Sequence, residues 1–136
     1  MSTTGTAESS DMSLTVLMIV TSQDRSREFY HHVIGAEIVR DRDPAILRFG
    51  NGVIVLNVGG GPTSDKPTVT MAPPADPETV SMALNIRVAD IYAVYHAWRA
   101  QGAQFLTPPQ DHDGEIRCYL RDPDGYLIDV GQTTRA

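Results

Sequence analysis

Apolar positions along this chain change their spacing in an order that occurs twice. The run "LTVLMIV" (14–20) is almost continuously apolar and predicts a strand. Through "SQDRSREFYHHVIG" (22–35) the spacing becomes helical, with Ser26, Phe29, Tyr30 and Val33 at i, i+3, i+4 and i+7. "AEIV" (36–39) returns to a strand. The order then recurs as "SMALNIRV" (81–88), "ADIYAVYHAWRAQG" (89–102) and "AQFL" (103–106), with Ile91, Val94, Tyr95 and Trp98 forming the second helical stripe. Each predicted helix ends at a glycine followed by an alanine, a polar residue and an apolar one: Gly35-Ala36-Glu37-Ile38 and Gly102-Ala103-Gln104-Phe105. Glycine suits the left-handed cap that closes a helix.

Each half closes with a predicted hairpin. "AILRF" turns through Gly50-Asn51-Gly52 into "VIVLNVG", and "EIRCYLR" turns through Asp122-Pro123-Asp124-Gly125 into "YLIDVG". Aligning "LNVG" with "IDVG" sets Asn57 opposite Asp129. The Gly- and Pro-rich stretch between the halves reads as a long connection, with room for a short strand around residues 68–71. The expected architecture is therefore α+β, a tandem βαβββ repeat whose two curled mixed sheets form a cup with the helices outside. Its expected organisation is a disordered tail over residues 1–12 and one domain over 13–134, made of modules 13–59 and 80–134 around a linker 60–79.

Bulk properties narrow the class. A chain of 136 residues, 41% hydrophobic and 21% charged, is long enough to bury one core. The net charge of -6, with Lys and Arg scattered, disfavours nucleic acid as a partner. No basic, apolar leader opens the sequence and no run reaches membrane-spanning length, so a cytoplasmic protein with no membrane partner is expected. The lone cysteine, Cys118, excludes an internal disulfide and is expected as a small buried hydrophobe.

"VTSQDRSREFY" leading to "VIGA", the "RVAD" start of the second helix, and "RDPDGYLID" together resemble the vicinal oxygen chelate superfamily of glyoxalases, bleomycin resistance proteins and dioxygenases, from Leu14 to Gln132. The resemblance implies four metal positions facing the cup, one on the first and one on the last strand of each module. Here they fall at Thr15, Ala83, Asn57 and Asp129, with Val55 replacing Asn57 in a shifted register. Such a set offers one carboxylate and at most an amide or hydroxyl, too little for the divalent ions this family uses, so no metal and no cofactor are expected.

Strand alternation then gives the residues lining the cup. Thr15, Leu17, Ile19, Val55 and Asn57 come from the first module, and Ala83, Asn85, Arg87, Arg117, Tyr119, Leu127 and Asp129 from the second. Asp129 has two readings: a half-buried charge paired with Arg117 or Arg87, or a ligand acceptor or base tuned by its apolar neighbours. Tyr119 either packs on the sheet or stacks on a planar ligand. His112, in a loop near the cup mouth, is a solvated loop residue or a ligand contact. His31, His32 and His96 are expected on helix surfaces and Trp98 in the core. "NVGGGPT" (57–63) lacks the GxxxxGK[ST] spacing and the following helix of a phosphate loop.

The expected function is metal-free binding of an amphipathic or aromatic small molecule, in a homodimer, through Thr15, Leu17, Val55, Asn57, Asn85, His112, Arg117, Tyr119 and Asp129. The alternative is an enzyme of the same fold, a lyase, isomerase or dioxygenase-like protein, with Asp129 as its acid or base or with an atypical metal site.

Overall fold

The computed structural model describes residues 8–135. Of the expected tail, residues 1–7 lie outside the described residues, and Ser9–Asp11 forms one turn of 3-10 helix.

The first module runs β1 (Val16–Ile19), α1 (Gln23–Glu28), β2 (Glu37–Arg40), β3 (Ala45–Phe49) and β4 (Gly52–Asn57). The second runs β5 (Leu84–Arg87), α2 (Ile91–Ala100), β6 (Gln110–His112), β7 (Glu115–Arg121) and β8 (Leu127–Thr133). Each sheet has four strands in the same order, β1-β4-β3-β2 and β5-β8-β7-β6, with only the β1–β4 and β5–β8 pairs parallel. Both helices start on side-chain caps. Ser22 accepts the amide of Arg25, and Asp90 accepts that of Ala93, satisfying donors that a helix start leaves free.

Three expected elements differ. The first helix widens into a π turn over Phe29–Val33, where Ile34 bonds back to Phe29. His31 lies within this turn and is half-buried, its Nδ1 standing 2.8 Å from the carbonyl of Ala36, where a surface position was expected. "AQFL" is no strand: Phe105 makes one isolated bridge to Leu120, and the outer strand is β6. Pro108 and Pro109 delay pairing, and the Asp113-Gly114 turn, with Gly114 at φ 87, folds β6 onto β7. In place of a strand at 68–71 stands a single bridge between Met71 and Gly60.

The core lies between helices and sheets. Ala45, Leu47, Ile54 and Leu56 of the first sheet meet the buried Tyr30, while Cys118, Leu120, Ile128 and Val130 of the second join Ile91, Tyr95 and Trp98 in one cluster. Burial pushes the Cys118 thiol up to about 11, which leaves it an inert packing group.

The two modules are joined at the Asp-Pro-Asp-Gly turn. Asp122 accepts the Tyr30 hydroxyl at 2.8 Å and the amides of Asp124 and Tyr126 at 2.9 Å each. Asp124 reaches into the first module, accepting from Thr21 Oγ1 (2.6 Å), the Thr21 amide (3.1 Å), Arg25 (3.1 Å) and Ser26 (3.3 Å). The Tyr126 hydroxyl donates to the Ile19 carbonyl at 2.8 Å. This turn thus docks module two onto the start of α1 and the end of β1.

Candidate functional site

Strand alternation sends one set of side chains to the helices and leaves the other on the opposite face of each sheet. On the first sheet that free face carries an apolar patch of Leu17, Ile46, Val53 and Val55, on which Leu17 is 50% exposed, bordered by the Arg48–Glu37 pair at 3.5 Å. On the second sheet the face is polar, and the register arranges it in rows. Asn85, Asp129 and Tyr119 stand side by side; next come Arg87, Gly131, Arg117 and Gln110; then Thr133, Glu115 and His112.

His112 is therefore a strand residue of β6, not a loop residue, and it shares the face with the other polar candidates. Thr15 and Ala83, expected inside strands, precede β1 and β5 and are exposed.

The ladder also decides the counterpart of Asp129. Val20 donates its amide to the carbonyl of Asn57, and Val88 donates to that of Gly131, both at 2.9 Å. Asn57 is thus equivalent to Gly131, and Val55, paired with Leu17, is equivalent to Asp129, paired with Asn85. The alignment of "LNVG" with "IDVG" was off by two residues, and of the two registers the sequence allowed, the shifted one is adopted. Asn57 is occupied locally, its side-chain oxygen accepting from the Val58 amide at 3.0 Å and from Gln23 at 3.4 Å.

The family-type metal positions are accordingly Thr15, Val55, Ala83 and Asp129. One carboxylate, one hydroxyl and two hydrocarbon side chains do not fit a divalent ion. Among the described residues no group of three or more His, Cys, Asp or Glu stands together.

Glu115, which sequence reasoning left out, organises the polar face. Its two oxygens separate two arginines: Oε1 accepts from Arg87 at 2.9 Å and Oε2 from Arg117 at 3.3 Å. The Arg87 hydrogen bond holds the Glu115 carboxyl below its ordinary range. Alternation outward from Arg117 already places Glu115 on this face, so the signal was present. Arg87 reaches Glu115 by lying over Gly131, where a Cβ would stand 2.0 Å from its Nη1; the bond to Thr133 at 3.0 Å anchors its other nitrogen.

Because Glu115 takes both arginines, Asp129 pairs with neither. Its Oδ2 has only Asn85 Nδ2, at 3.5 Å, and its Oδ1 is buried without a partner, as is Arg117 Nε. Burial, followed by the nearby Glu115 charge, raises the Asp129 carboxyl above its ordinary value. The face thus presents an acid of raised pKa beside an aromatic ring and two clamped guanidinium groups.

Clefts lie beside these faces. One of about 610 Å³ runs between Asn85 and Arg87 and the β3–β4 hairpin, and one of about 140 Å³ joins Leu17 to Met82 and Leu127. Neither includes Val55, Arg117, Tyr119 or Asp129, which stand half-buried on open sheet faces.

Two βαβββ modules joined into one core, each leaving a sheet face free of helices, define the class of protein. The chain belongs to the Glyoxalase/Bleomycin resistance protein/Dioxygenase superfamily, whose family model matches residues 14–130. A lactoylglutathione lyase of Neisseria meningitidis serogroup A is 25% identical over 126 residues, covering 88% of each chain. TnmS3, an antibiotic binding protein from Streptomyces sp. CB03234, superposes with a TM-score of 0.65 at 17% identity, covering 90% of this chain and 98% of that one. The fosfomycin resistance protein FosX from Mesorhizobium loti gives a TM-score of 0.67 at 13% identity, covering 91% and 93%. At these identities the two structures share the fold, and the activities in the names belong to those proteins. Among the described residues no helix is long and apolar enough to cross a membrane.

Proposed function

We propose that the chain is a metal-independent small-molecule binder, which sequesters an amphipathic, aromatic compound on its helix-free sheet faces. The observation that carries this reading is the residue set at the four family positions, where Thr15, Val55, Ala83 and Asp129 replace a metal-binding quartet. What remains is an apolar wall at Leu17 and Val55 facing no helix, and a polar wall of Asn85, His112, Arg117, Tyr119 and Asp129. That mixture suits a ligand held by apolar area and oriented by a few polar groups. Burial of ligand surface at ~25 cal/mol per Å² supplies the affinity. The antibiotic-binding protein of the same fold lends support as an analogy.

Each face is open in a single chain, so a second copy is the natural way to complete the enclosure, and the working form is a cytoplasmic homodimer. Calorimetry of the purified protein against aromatic natural-product antibiotics checks the reading. One tight site per chain is expected; a dimer that binds none of them, or protein that retains one metal ion per chain, overturns it.

One observation favours a second reading: the raised carboxyl of Asp129, with a free Oδ1, is suited to take a proton. In that case the chain is a metal-free lyase or isomerase, as the resemblance to lactoylglutathione lyases invites. Asp129→Asn separates the two. Lost turnover with intact affinity identifies a base, whereas a wild-type chain that binds without turnover, and a variant that binds as it does, leave a binder.

A further inference from the structure

Two buried side-chain atoms without partners, Arg117 Nε and Asp129 Oδ1, lie on the same face of the same sheet. Arg117 stands directly across from Gly131, and Asp129 is two residues earlier on that strand. Diagonal neighbours of this kind have backbones roughly 7–8 Å apart, a span that one small polar group can bridge from both sides. An unmade hydrogen bond at a buried polar atom is unfavourable, so a pair of them on one face can be met by a partner from outside the chain.

The rest of the face says what that partner must be. Around the orphans Arg87 and Arg117 balance Glu115 and Asp129, and the face's remaining cation, Arg121, is paired with Glu78, so an ionic ligand finds no surplus charge to neutralise. One orphan is a donor and the other an acceptor. A carboxylate would meet Asp129 with like charge, an amidinium would meet Arg117 likewise, and a plain arene would leave both orphans unmade. Tyr119, directly across from Asp129, supplies aromatic surface alongside. Arg87, clamped over Gly131 by Glu115 and Thr133, borders the two orphans as a fixed wall.

We propose that the ligand bound on this face presents a neutral carboxamide-type edge (an amide, lactam or imide) whose carbonyl accepts from Arg117 Nε and whose N–H donates to Asp129 Oδ1. The inference rests on the binder reading above and adds the chemical class of the ligand.

Benzamide, benzoate, benzamidine and toluene test it, titrated into the full chain while nitrogen–proton spectra follow the arginine Nε–H signals. Benzamide is expected to move the Arg117 signal and to bind roughly tenfold or more tighter than the other three, about 1.4 kcal/mol. Asp129→Asn, whose Oδ1 still accepts, keeps benzamide binding; Asp129→Leu abolishes the preference. Should Asp129→Leu not fold, Arg117→Lys serves, since it keeps the charge but loses the Nε donor. Benzoate binding as tightly as benzamide, or benzamide binding undiminished in a folded Asp129→Leu or Arg117→Lys variant, overturns the proposal. If toluene binds on this face and benzamide has no advantage, the amide inference fails while the binder reading stands. If none of the four moves a signal of β7 or β8, both fail.

Discussion

Three carboxylates in the second module show how far neighbours decide the role of one residue type. Glu115, Asp122 and Asp129 all lie in or beside strands, yet the first is clamped by arginines, the second by a tyrosine and two amides, and the third by almost nothing. Asp122 is 5% exposed, and burial raises its carboxyl even though the Tyr30 hydroxyl works against the shift. An acid raised in the folded state contributes stability below its unfolded pKa and loses it as pH rises through the folded value. Tyr30→Phe removes the group that opposes the shift, so the folded pKa rises further. The variant is expected to lose little stability in acid, where Asp122 is protonated, and about 1–3 kcal/mol near neutrality, where the ionised oxygen lacks its donor. Urea unfolding in mild acid and at neutral pH measures the difference; an equal loss in both contradicts this account. The site residues themselves were half legible. Alternation placed Arg117, Tyr119 and Asp129 on one face, but it could not tell that Glu115 would claim both arginines, because ion pairing is chosen by side-chain reach and not by period.

At the level of elements, apolar periodicity located the two helices and seven of the eight strands, since each had a face to bury. It failed where pairing alone holds a strand. All three residues of β6 are exposed, so no apolar period marks it, and only the Asp113-Gly114 turn betrayed it. The "LNVG"–"IDVG" alignment failed for a related reason: local similarity ignored the hydrogen-bond ladder, which counts backwards from Val20 and Val88. The connection between modules is likewise fixed by backbone proximity. Gly59 passes so near Met71 that a Cβ would stand 1.9 Å from the Met71 carbonyl oxygen, and the neighbouring Gly60 and Met71 exchange hydrogen bonds at 2.9 Å each. Backbone cannot rotate away as a side chain can. Gly59→Ala is expected to destabilise the protein by about 1–3 kcal/mol and to speed hydrogen exchange at Gly60 and Met71. Unchanged exchange at those two amides would show that the strap tolerates a side chain.

Over the whole molecule, the two halves of the pseudo-repeat share one core and are pinned to each other at one turn. The Asp124 side chain is 2% exposed and accepts four hydrogen bonds from residues some hundred positions earlier in the chain. Asp124→Ala removes them all and leaves the Thr21 amide unpaired. A loss of about 2–3 kcal/mol is expected, the scale of hydrogen bonds to a charged group, with both modules still unfolding together through their common core. Urea curves followed at Trp98 in module two and at labelled Met18 in module one would reveal it; a change within experimental scatter would mean that the core alone unites the modules.

Residue order carries the tandem βαβββ plan and the helix-side core, and in either register it leaves the positions that the family resemblance implies for metal short of donors. These follow from periodicity and from donor chemistry, which are properties of residues in order. Tertiary structure alone decided that Val55 and not Asn57 answers Asp129, that the Asp-Pro-Asp-Gly turn joins the modules, and that two polar atoms are stranded on an open face. Those facts arise from ladder register and three-dimensional reach between residues far apart in the chain, which no local pattern of side chains encodes.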